Sequence, residues 1–161
     1  MNRKFKKCLI TGSTGSVGSY FIDFLIDNKK KLKIYGAYRS KGYLNYLKKK
    51  NKGKVKLINC DLQNLSLTKK IIKKTDPDVI FHFASNADVK KSFENPVEFC
   101  ENNNEITINL LEALRLLKTF PLVIICSSSE VYGNVPLSKQ PISEKNYIAP
   151  INPYAVSKTF Q

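Results

Sequence analysis

Near its N-terminus the chain reads Lys6-Lys7-Cys8-Leu9-Ile10-Thr11 and continues Gly12-Ser13-Thr14-Gly15-Ser16-Val17-Gly18. The first run has the apolar centre of a short buried strand, and the residues from Ser16 onward have the apolar period of a helix. Glycine permits a tight turn in which backbone N–H groups approach a pyrophosphate, and the helix N-terminus adds free amides and a positive dipole end. A G-x-x-G-x-x-G turn between a strand and a helix therefore predicts a dinucleotide-binding turn. We assign to it Gly12, Thr14, Gly15, Ser16, Val17 and Gly18.

The rest of the chain alternates strand-like and helix-like segments. Apolar runs predict strands over residues 6–11, 32–38, 54–59, 79–84 and 122–126. Helical periodicity predicts helices over residues 16–28, 41–50, 66–75 and 96–118, and the start of another over 152–161. Turns are predicted at Asn51-Lys52-Gly53 and Asp76-Pro77-Asp78. Continuous apolar strands between amphipathic helices indicate an α/β fold: a Rossmann-type, doubly wound parallel sheet with helices on both faces.

The helical periods also predict which side chains face the core. They place on one face Val17, Tyr20, Phe21, Phe24 and Leu25 in the first helix. In the third helix the predicted apolar side is Leu67, Ile71 and Ile72. In the long fourth helix it is Ile106, Leu110, Leu111, Leu114 and Leu117.

Composition excludes several classes of protein. The chain has 161 residues, 42% of them apolar, which predicts one domain with a real core. No apolar run approaches the roughly 20 residues of a membrane span, so we expect no membrane partner. The net charge of +14 comes almost entirely from lysine, with arginine only at positions 3, 39 and 115. Because base readout and phosphate clamping favour arginine, we interpret the charge as a solvated surface and expect no specific nucleic-acid partner.

The cysteines and the histidine do not have the spacing of a metal site. Cys8, Cys60, Cys100 and Cys126 form no C-x-x-C pair, and His82 is the single histidine. We interpret the cysteines as reduced core residues of a cytoplasmic protein, and His82, within an apolar strand, as a packed core histidine. No metal is expected.

The end of the second predicted strand bears on the choice of cofactor. It reads Tyr38-Arg39-Ser40, without the Asp or Glu that binds the ribose 2′-hydroxyl in NAD enzymes. Arg39 instead suits a 2′-phosphate, which favours NADP over NAD. Asp61-Leu62 follows the third strand, where Asp61 has the alternative role of capping the next turn.

Two motifs after the fifth strand carry the chemistry. The first is Cys126-Ser127-Ser128-Ser129-Glu130-Val131-Tyr132-Gly133, and the second is Asn152-Pro153-Tyr154-Ala155-Val156-Ser157-Lys158. Tyr154 and Lys158 share a helix face, and a nearby ammonium beside a nicotinamide cation favours the phenolate, a proton acceptor. A serine hydroxyl at the strand end can hold a substrate oxygen beside it. Glu130 adds a carboxylate suited to dehydration, with an exposed loop carboxylate as the alternative.

Together these motifs resemble the extended short-chain dehydrogenase/reductase family, in its NAD(P)-dependent nucleotide-sugar epimerase/dehydratase branch, and within it the GDP-mannose 4,6-dehydratase group. The glycine turn matches the T-G-x-x-G-x-x-G fingerprint, and S-S-S-E-V-Y-G followed by N-P-Y-A-V-S-K matches the two motifs around the active site. Phe81-His82-Phe83-Ala84 and Asn109-Leu110-Leu111-Glu112-Ala113 fit as well. The similarity covers essentially the whole chain. Where the group usually has glycine and alanine, this chain has Ile106 and Ser85, and the bulk of Ile106 predicts looser helix–sheet packing.

The resemblance implies a role for each matching residue. Asp61, Leu62 and Ala84 border the cofactor together with the glycine turn, Tyr154 and Lys158. Ser128 binds the 4-oxygen of a nucleotide sugar, and Glu130 is base and acid at C5 and C6. Tyr154 takes the 4-OH proton with support from Lys158, and the product is a 4-keto-6-deoxy sugar. Ser85, Asn86 and Lys90 are weaker candidates, and Asn103 supports the active-site region.

Alternatives remain open at this point. A 4-epimerase or a reductase of 4-keto-6-deoxy sugars carries the same core motifs, and an inactive coenzyme-binding module is the alternative of another class. Relatives continue into a C-terminal substrate lobe and commonly form homo-oligomers. We therefore expect residues 1–161 to be a dinucleotide-binding domain that binds NADP weakly and turns over no substrate without that lobe.

Overall fold

The computed structural model describes residues 4–28, 31–51 and 53–161. The chain divides into two compact units, Met1–Ala84 with Ile108–Ile125, and Ser85–Thr107 with Cys126–Gln161. The predicted turn around Lys52 has its central residue outside the described residues. Within the described ranges, no helix combines the length and apolarity needed to cross a membrane.

The first unit is built on a five-stranded parallel sheet with strand order β3-β2-β1-β4-β5. The strands are β1 (Lys7–Thr11), β2 (Lys33–Tyr38), β3 (Val55–Asn59), β4 (Val79–His82) and β5 (Leu122–Ile125). Its helices are α1 (Ser16–Asn28), α2 (Leu44–Asn51) and α3 (Leu65–Thr75), with residues 108–117 of a longer helix. The chain winds outward from β1 to β3 and then returns to β4 on the other side of β1. This flanked, doubly wound sheet confirms the predicted Rossmann-type fold, with its switch point between β1 and β4.

The core of this unit lies where α1 and α2 cover the central strands. Its buried side chains are Cys8, Ile10, Ile22, Leu25, Ile34, Leu47, Val55 and Val79. Phe21 adds an aromatic contact, with its ring centroid 4.6 Å from that of Phe81 and 5.4 Å from that of Phe83. The apolar residues that β1 to β4 contribute to this cluster therefore pack as their sequence predicts.

The predicted apolar faces of the helices are partly wrong. In α1, Val17, Tyr20 and Phe24 are 57%, 64% and 56% exposed. The buried side of this helix carries Gly18 and Ser19 together with Ile22 and Leu25. Small residues occupy this side because the start of the helix lies close to the glycine turn. The largest apolar side chains of α1 therefore do not mark its buried face. Leu67 in α3 and Leu111 are likewise exposed.

Strand β5 is less covered than its apolar sequence predicts. Leu122 and Ile124 are each 41% exposed, because β5 lies at the edge of the sheet. The cysteine prediction is correct for Cys8 and Cys60, whose thiol pKa values are raised by burial to about 12 and about 11. It is wrong for Cys126, which is exposed just beyond β5, and Cys100 is only partly buried.

The second unit contains three α-helical segments and two 3₁₀ turns. The helical segments are α4 (Val89–Glu94), residues 96–107 of α5 (Pro96–Leu117) and α6 (Pro153–Phe160), and the 3₁₀ turns are Ser129–Tyr132 and Leu137–Lys139. Helix α4 was not predicted; Asp88 caps it by accepting a hydrogen bond from Lys91 N–H. Ile106 is only 5% exposed, so its extra bulk is accommodated.

A buried carboxylate joins α1 to α2 in the first unit. Asp23 is 7% exposed, and its Oδ2 accepts hydrogen bonds from Tyr46 Oη at 2.6 Å and Lys50 Nζ at 2.7 Å. Burial alone raises the pKa of Asp23, but these two donors outweigh it and leave the pKa below the usual value of an aspartate.

We expect Asp23→Asn to lower the free energy of unfolding by about 1.5–3 kcal/mol, since a hydrogen bond to a charged group is lost inside the protein. Because the folded pKa is depressed, the carboxylate stabilises the fold above the unfolded pKa of about 4, and this contribution disappears as pH falls through the folded value. Urea unfolding of wild type and variant should differ by a constant amount from pH 5 to 8, with the gap closing below about pH 4. Asp27→Asn, at an exposed position of the same helix, is the control. An equal loss in both variants would contradict the prediction.

Candidate functional site

The glycine turn after β1 is shaped by close backbone approach. Gly12 has φ 65°, and a Cβ on it would lie 2.7 Å from the backbone nitrogen of Ala84. A Cβ on Gly18 would overlap the carbonyl oxygen of Gly12. The turn is fastened by Ser13 N–H to the Ala37 carbonyl and by Gly15 N–H to the Gly12 carbonyl, both at 3.0 Å. Both glycines therefore occupy space that any side chain would fill.

The start of α1 is accessible beside this turn. Gly15, Ser16 and Val17 are exposed, whereas Thr14 and Gly18 are buried. The Thr14 hydroxyl donates to the Ser40 carbonyl at 2.8 Å, which leaves its backbone amide as the group to offer a ligand. An exposed helix start beside a narrow backbone cradle suits a pyrophosphate, so these residues fit the group predicted for them.

At the end of β2, Arg39 lies beside the loop that follows β3. Its Nη1 donates to Gln63 Oε1 at 2.8 Å and lies 3.7 Å from Asp61 Oδ1. Asp61 Oδ1 also accepts from Gln63 N–H at 3.1 Å, so the alternative capping role of Asp61 is observed. Leu62 is buried. The guanidinium has a planar, fork-shaped set of N–H donors, a geometry that suits both carboxylate and phosphate.

Asn109 fixes the same loop and was not singled out by sequence reasoning. Its Nδ2 donates to the carbonyls of Leu62 and Gln63 at 3.0 and 2.9 Å. The sequence pointed to it only as part of the segment Asn109-Leu110-Leu111-Glu112-Ala113, which fits the family but gives the asparagine no role.

His82 is a structural residue, as predicted. It is 1% exposed, and its Nδ1 lies 2.8 Å from Thr11 Oγ1. The same hydroxyl accepts from Ala84 N–H at 3.2 Å. This pair therefore fixes the ends of β1 and β4, where Ala84 meets the glycine turn.

In the second unit, Ser128 and Glu130 form the start of the 3₁₀ turn. Ser128 Oγ accepts a hydrogen bond from Glu130 N–H at 3.2 Å. A hydroxyl that accepts in this way keeps its own hydrogen to donate, for example to a substrate oxygen. Glu130 is exposed, but its Oε2 accepts a hydrogen bond from Asn152 Nδ2 at 3.0 Å. Its carboxylate is therefore oriented rather than loose.

Tyr154 and Lys158 lie one turn apart on α6. The ring of Tyr154 packs edge-on to that of Phe99, with centroids 6.3 Å apart. Lys158 is 6% exposed, and its Nζ donates to the Cys126 carbonyl and to Gln161 Oε1, both at 2.7 Å. Burial lowers the pKa of the Lys158 ammonium. Two of the three Nζ hydrogens are thus used in these bonds, and the third is available to a ligand or to the phenol.

The residues after β4 divide into supporting and exposed groups. Asn103 is fully buried, accepts from Asn86 N–H at 2.7 Å, and donates to the Asn86 carbonyl and Ser157 Oγ, both at 3.0 Å. It thereby ties this loop to α6, in agreement with its expected supporting role.

The other candidates after β4 lie nearer the surface. Lys90 is exposed and 4.0 Å from Glu94. Lys91, rather than Lys90, lines a cavity of about 200 Å³ with Asn86. Ser85 donates to the Asn86 carbonyl at 3.1 Å.

Across the part of the chain that the structure describes, no three His, Cys, Asp or Glu side chains are arranged to hold a metal ion.

The family model described as GDP-mannose 4,6 dehydratase matches residues 9–161. A GDP-mannose 4,6-dehydratase of Sordaria araneosa is 33% identical over 159 residues, which cover 97% of this chain and 28% of that protein. A UDP-glucose 4-epimerase of Mycolicibacterium smegmatis is 30% identical, covering 94% of this chain and 48% of that protein.

Among solved structures, a UDP-glucose 4-epimerase of Brucella ovis in complex with NAD superposes with a TM-score of 0.83 at 30% identity, covering 96% of this chain and 45% of that one. The chain thus spans less than half the length of each of these three proteins.

Proposed function

Because the chain belongs to the GDP-mannose 4,6-dehydratase family, whose model matches residues 9–161, we propose that it is part of a NAD(P)-dependent nucleotide-sugar 4,6-dehydratase. One observation carries this proposal: the Glu130 carboxylate is bonded to Asn152, which caps the helix that bears Tyr154 and Lys158. Oxidation at C4 needs the proton acceptor and the ammonium, and dehydration needs in addition a carboxylate, which Glu130 supplies on a joined element.

Each residue of the second unit has a distinct task in this proposal. The Ser128 hydroxyl donates to the 4-oxygen of the sugar, and Tyr154 takes the proton of the 4-OH. Lys158 stabilises the phenolate from one helical turn away. Once C4 is a carbonyl, the C5 hydrogen is acidic. Glu130 removes it as a proton and delivers a proton to the leaving 6-oxygen, so that one water is lost across C5–C6.

The glycine turn and the start of α1 are the residues that would hold the dinucleotide, together with Arg39, Asp61, Leu62 and Ala84. A bound nicotinamide would supply the hydride chemistry, taking a hydride from C4 and giving one to C6, and the proton that Tyr154 took from the 4-OH would balance the proton that C5 regains. The proposed substrate is GDP-mannose, in line with the name of the Sordaria araneosa relative. The proposed product is its 4-dehydro-6-deoxy derivative.

A second function is favoured by the epimerases among the similar proteins. A 4-epimerase needs Ser128, Tyr154 and Lys158 for oxidation and reduction at C4 but has no use for a base at C5. A reductase of 4-keto-6-deoxy sugars needs the same three residues. Glu130 is therefore the residue that separates dehydration from these alternatives.

The first test measures products. The protein expressed from its complete reading frame is incubated with GDP-mannose or UDP-glucose and NADP or NAD, and the sugars are identified by NMR. We expect a 4-keto-6-deoxy sugar, and we expect Glu130→Gln to reduce its formation by about a hundredfold. Glu144→Gln, at an exposed position of the same unit, is the control. An inverted 4-OH, formed equally well by Glu130→Gln, would establish the epimerase instead.

The preference for NADP over NAD is tested separately at Arg39. We expect Arg39→Gln to weaken NADP binding about tenfold to a hundredfold, since it removes charge-assisted hydrogen bonds to the 2′-phosphate, and to leave NAD binding unchanged. Isothermal titration with both cofactors measures this, with Arg115→Gln as a matched control at an exposed Arg–Glu pair. Tighter binding of NAD than NADP by the wild type would refute the NADP assignment.

The chain spans less than half the length of the three similar proteins, which raises the question of which part of the activity its residues carry. We propose that residues 1–161 supply the dinucleotide-binding part and the proton-transfer residues, and that the lobe gripping the nucleotide sugar lies outside them. Reading the coding frame past Gln161 tests this. A frame that ends there would favour the inactive coenzyme-binding module over the enzyme.

A further inference from the structure

The side chain of Asn152 uses both ends of its amide. Its Oδ1 accepts a hydrogen bond from Ala155 N–H at 2.7 Å, which caps α6. Its Nδ2 donates to Glu130 Oε2 at 3.0 Å. The residue is only 9% exposed; its bond to Ala155 is buried, and its bond to the exposed Glu130 is partly buried. One side chain thus connects the helix of Tyr154 to the carboxylate of Glu130.

Capping alone does not require an amide. Serine and aspartate cap helices about as well as asparagine, because a cap needs only a side-chain oxygen. Proline at position 153 already presets the first helical residue. Among the strong capping residues, asparagine alone has an N–H donor beside that oxygen. The bond to Glu130 is therefore a second task that the cap does not explain.

Glu130 needs such a bond to hold one position. Its backbone N–H is bound by Ser128 Oγ, but the side chain is exposed and has three rotatable bonds. With Oε2 held by Asn152, the carboxylate is fixed to the first turn of α6, and Oε1 is the oxygen left to exchange a proton.

We propose that Asn152 is a positioning residue that holds the Glu130 carboxylate relative to Tyr154. This inference rests on the proposed function, in which Glu130 moves the proton between C5 and the 6-oxygen. Beyond the cap, Asn152 makes its contribution through Glu130, so a substitution that keeps the cap affects elimination and leaves cofactor binding alone.

The test uses a series of caps. Asn152→Ser keeps a capping oxygen but replaces the amide N–H donor by a shorter hydroxyl side chain. Asn152→Asp keeps the cap and puts a like charge beside Glu130. We expect the serine variant to melt within about 2 °C of wild type, since capping is retained, and the aspartate variant to melt lower, since its carboxylate repels that of Glu130. We expect exchange of the C5 hydrogen with solvent deuterium to fall about tenfold in the serine variant and about a hundredfold in the aspartate variant, with KM unchanged. Rates that follow the melting temperatures instead would show a purely structural role.

A second readout needs no turnover and so separates this inference from the proposed function. In ¹⁵N spectra of the 161-residue chain, we expect one side-chain amide proton of Asn152 to be shifted downfield by its hydrogen bond to the Glu130 carboxylate. The shift should vanish in Glu130→Gln and persist in Glu144→Gln. If no nucleotide sugar is converted, the proposed function fails while this contact stands. If the chemical shift of the Asn152 side-chain amide is the same with and without a charge at position 130, the inference is overturned in either case.

Discussion

Replacing Gly18 by alanine is expected to abolish dinucleotide binding and to lower the free energy of unfolding by about 2–3 kcal/mol, the upper range for an overpacked site. The added Cβ would overlap the carbonyl oxygen of Gly12 and lie 2.9 Å from Ser13 Cα. These are backbone atoms, so no side-chain rotation relieves the clash, and the turn itself must move. The cost outweighs the gain of about 1 kcal/mol that alanine brings to a helix interior.

Two other glycines provide matched controls for this experiment. At Gly15 a Cβ meets only the Gly12 carbonyl oxygen, at 3.3 Å, so Gly15→Ala should lower the free energy of unfolding by much less than Gly18→Ala does. At Gly53 a Cβ meets open space, but φ is 85°, a backbone conformation that strains alanine. Gly53→Ala should therefore lower the free energy of unfolding by about 1 kcal/mol and still bind cofactor. Thermal unfolding and titration with NADP measure both effects. Binding by Gly18→Ala within threefold of wild type would show that the turn does not hold the pyrophosphate.

The order of strands and helices was predictable because it follows from local periodicity. Each apolar run became a strand within about two residues, and the glycine spacing placed the turn correctly. Periodicity could not say which of two adjacent faces of α1 is buried. Gly18 and Ser19 face inward because the backbone beside them is close, a tertiary fact, and Val17, Tyr20 and Phe24 are left outside.

For the candidate site, the sequence predicted the types of residue and their order along the chain, but not which residues contact one another. The motifs around Ser128 and Tyr154 identify chemistry, whereas the partners of those residues are decided by how the chain folds back. Asn152 reaches Glu130 across 22 positions of sequence, and Asn109 reaches Leu62 across 47. The Asn-Pro pair before Tyr154 signals a helix cap. Nothing in its local pattern signals the carboxylate at the other end of the amide.

Tyr154→Phe is expected to reduce turnover by about 10³-fold while leaving the fold and cofactor binding intact. Every route from the nucleotide sugar, whether dehydration, epimerisation or reduction, passes through proton transfer at the 4-oxygen, so this loss should exceed that of Glu130→Gln. The substitution removes one oxygen and keeps the ring that packs on Phe99. The measurements are kcat and KM with the converted nucleotide sugar, together with the melting temperature.

Two companion variants locate the cause of that loss. Tyr147→Phe, at a tyrosine 89% exposed in the same unit, should behave as wild type. Lys158→Met should lose activity to a similar extent, and its melting temperature is measured as well, because it also removes the hydrogen bonds to the Cys126 carbonyl and Gln161. If Tyr154→Phe kept more than a tenth of the activity, the proton would have to leave through another group. The exposed carboxylate of Glu130 would then be the first to examine, since it is the other base in this unit that is tied to α6.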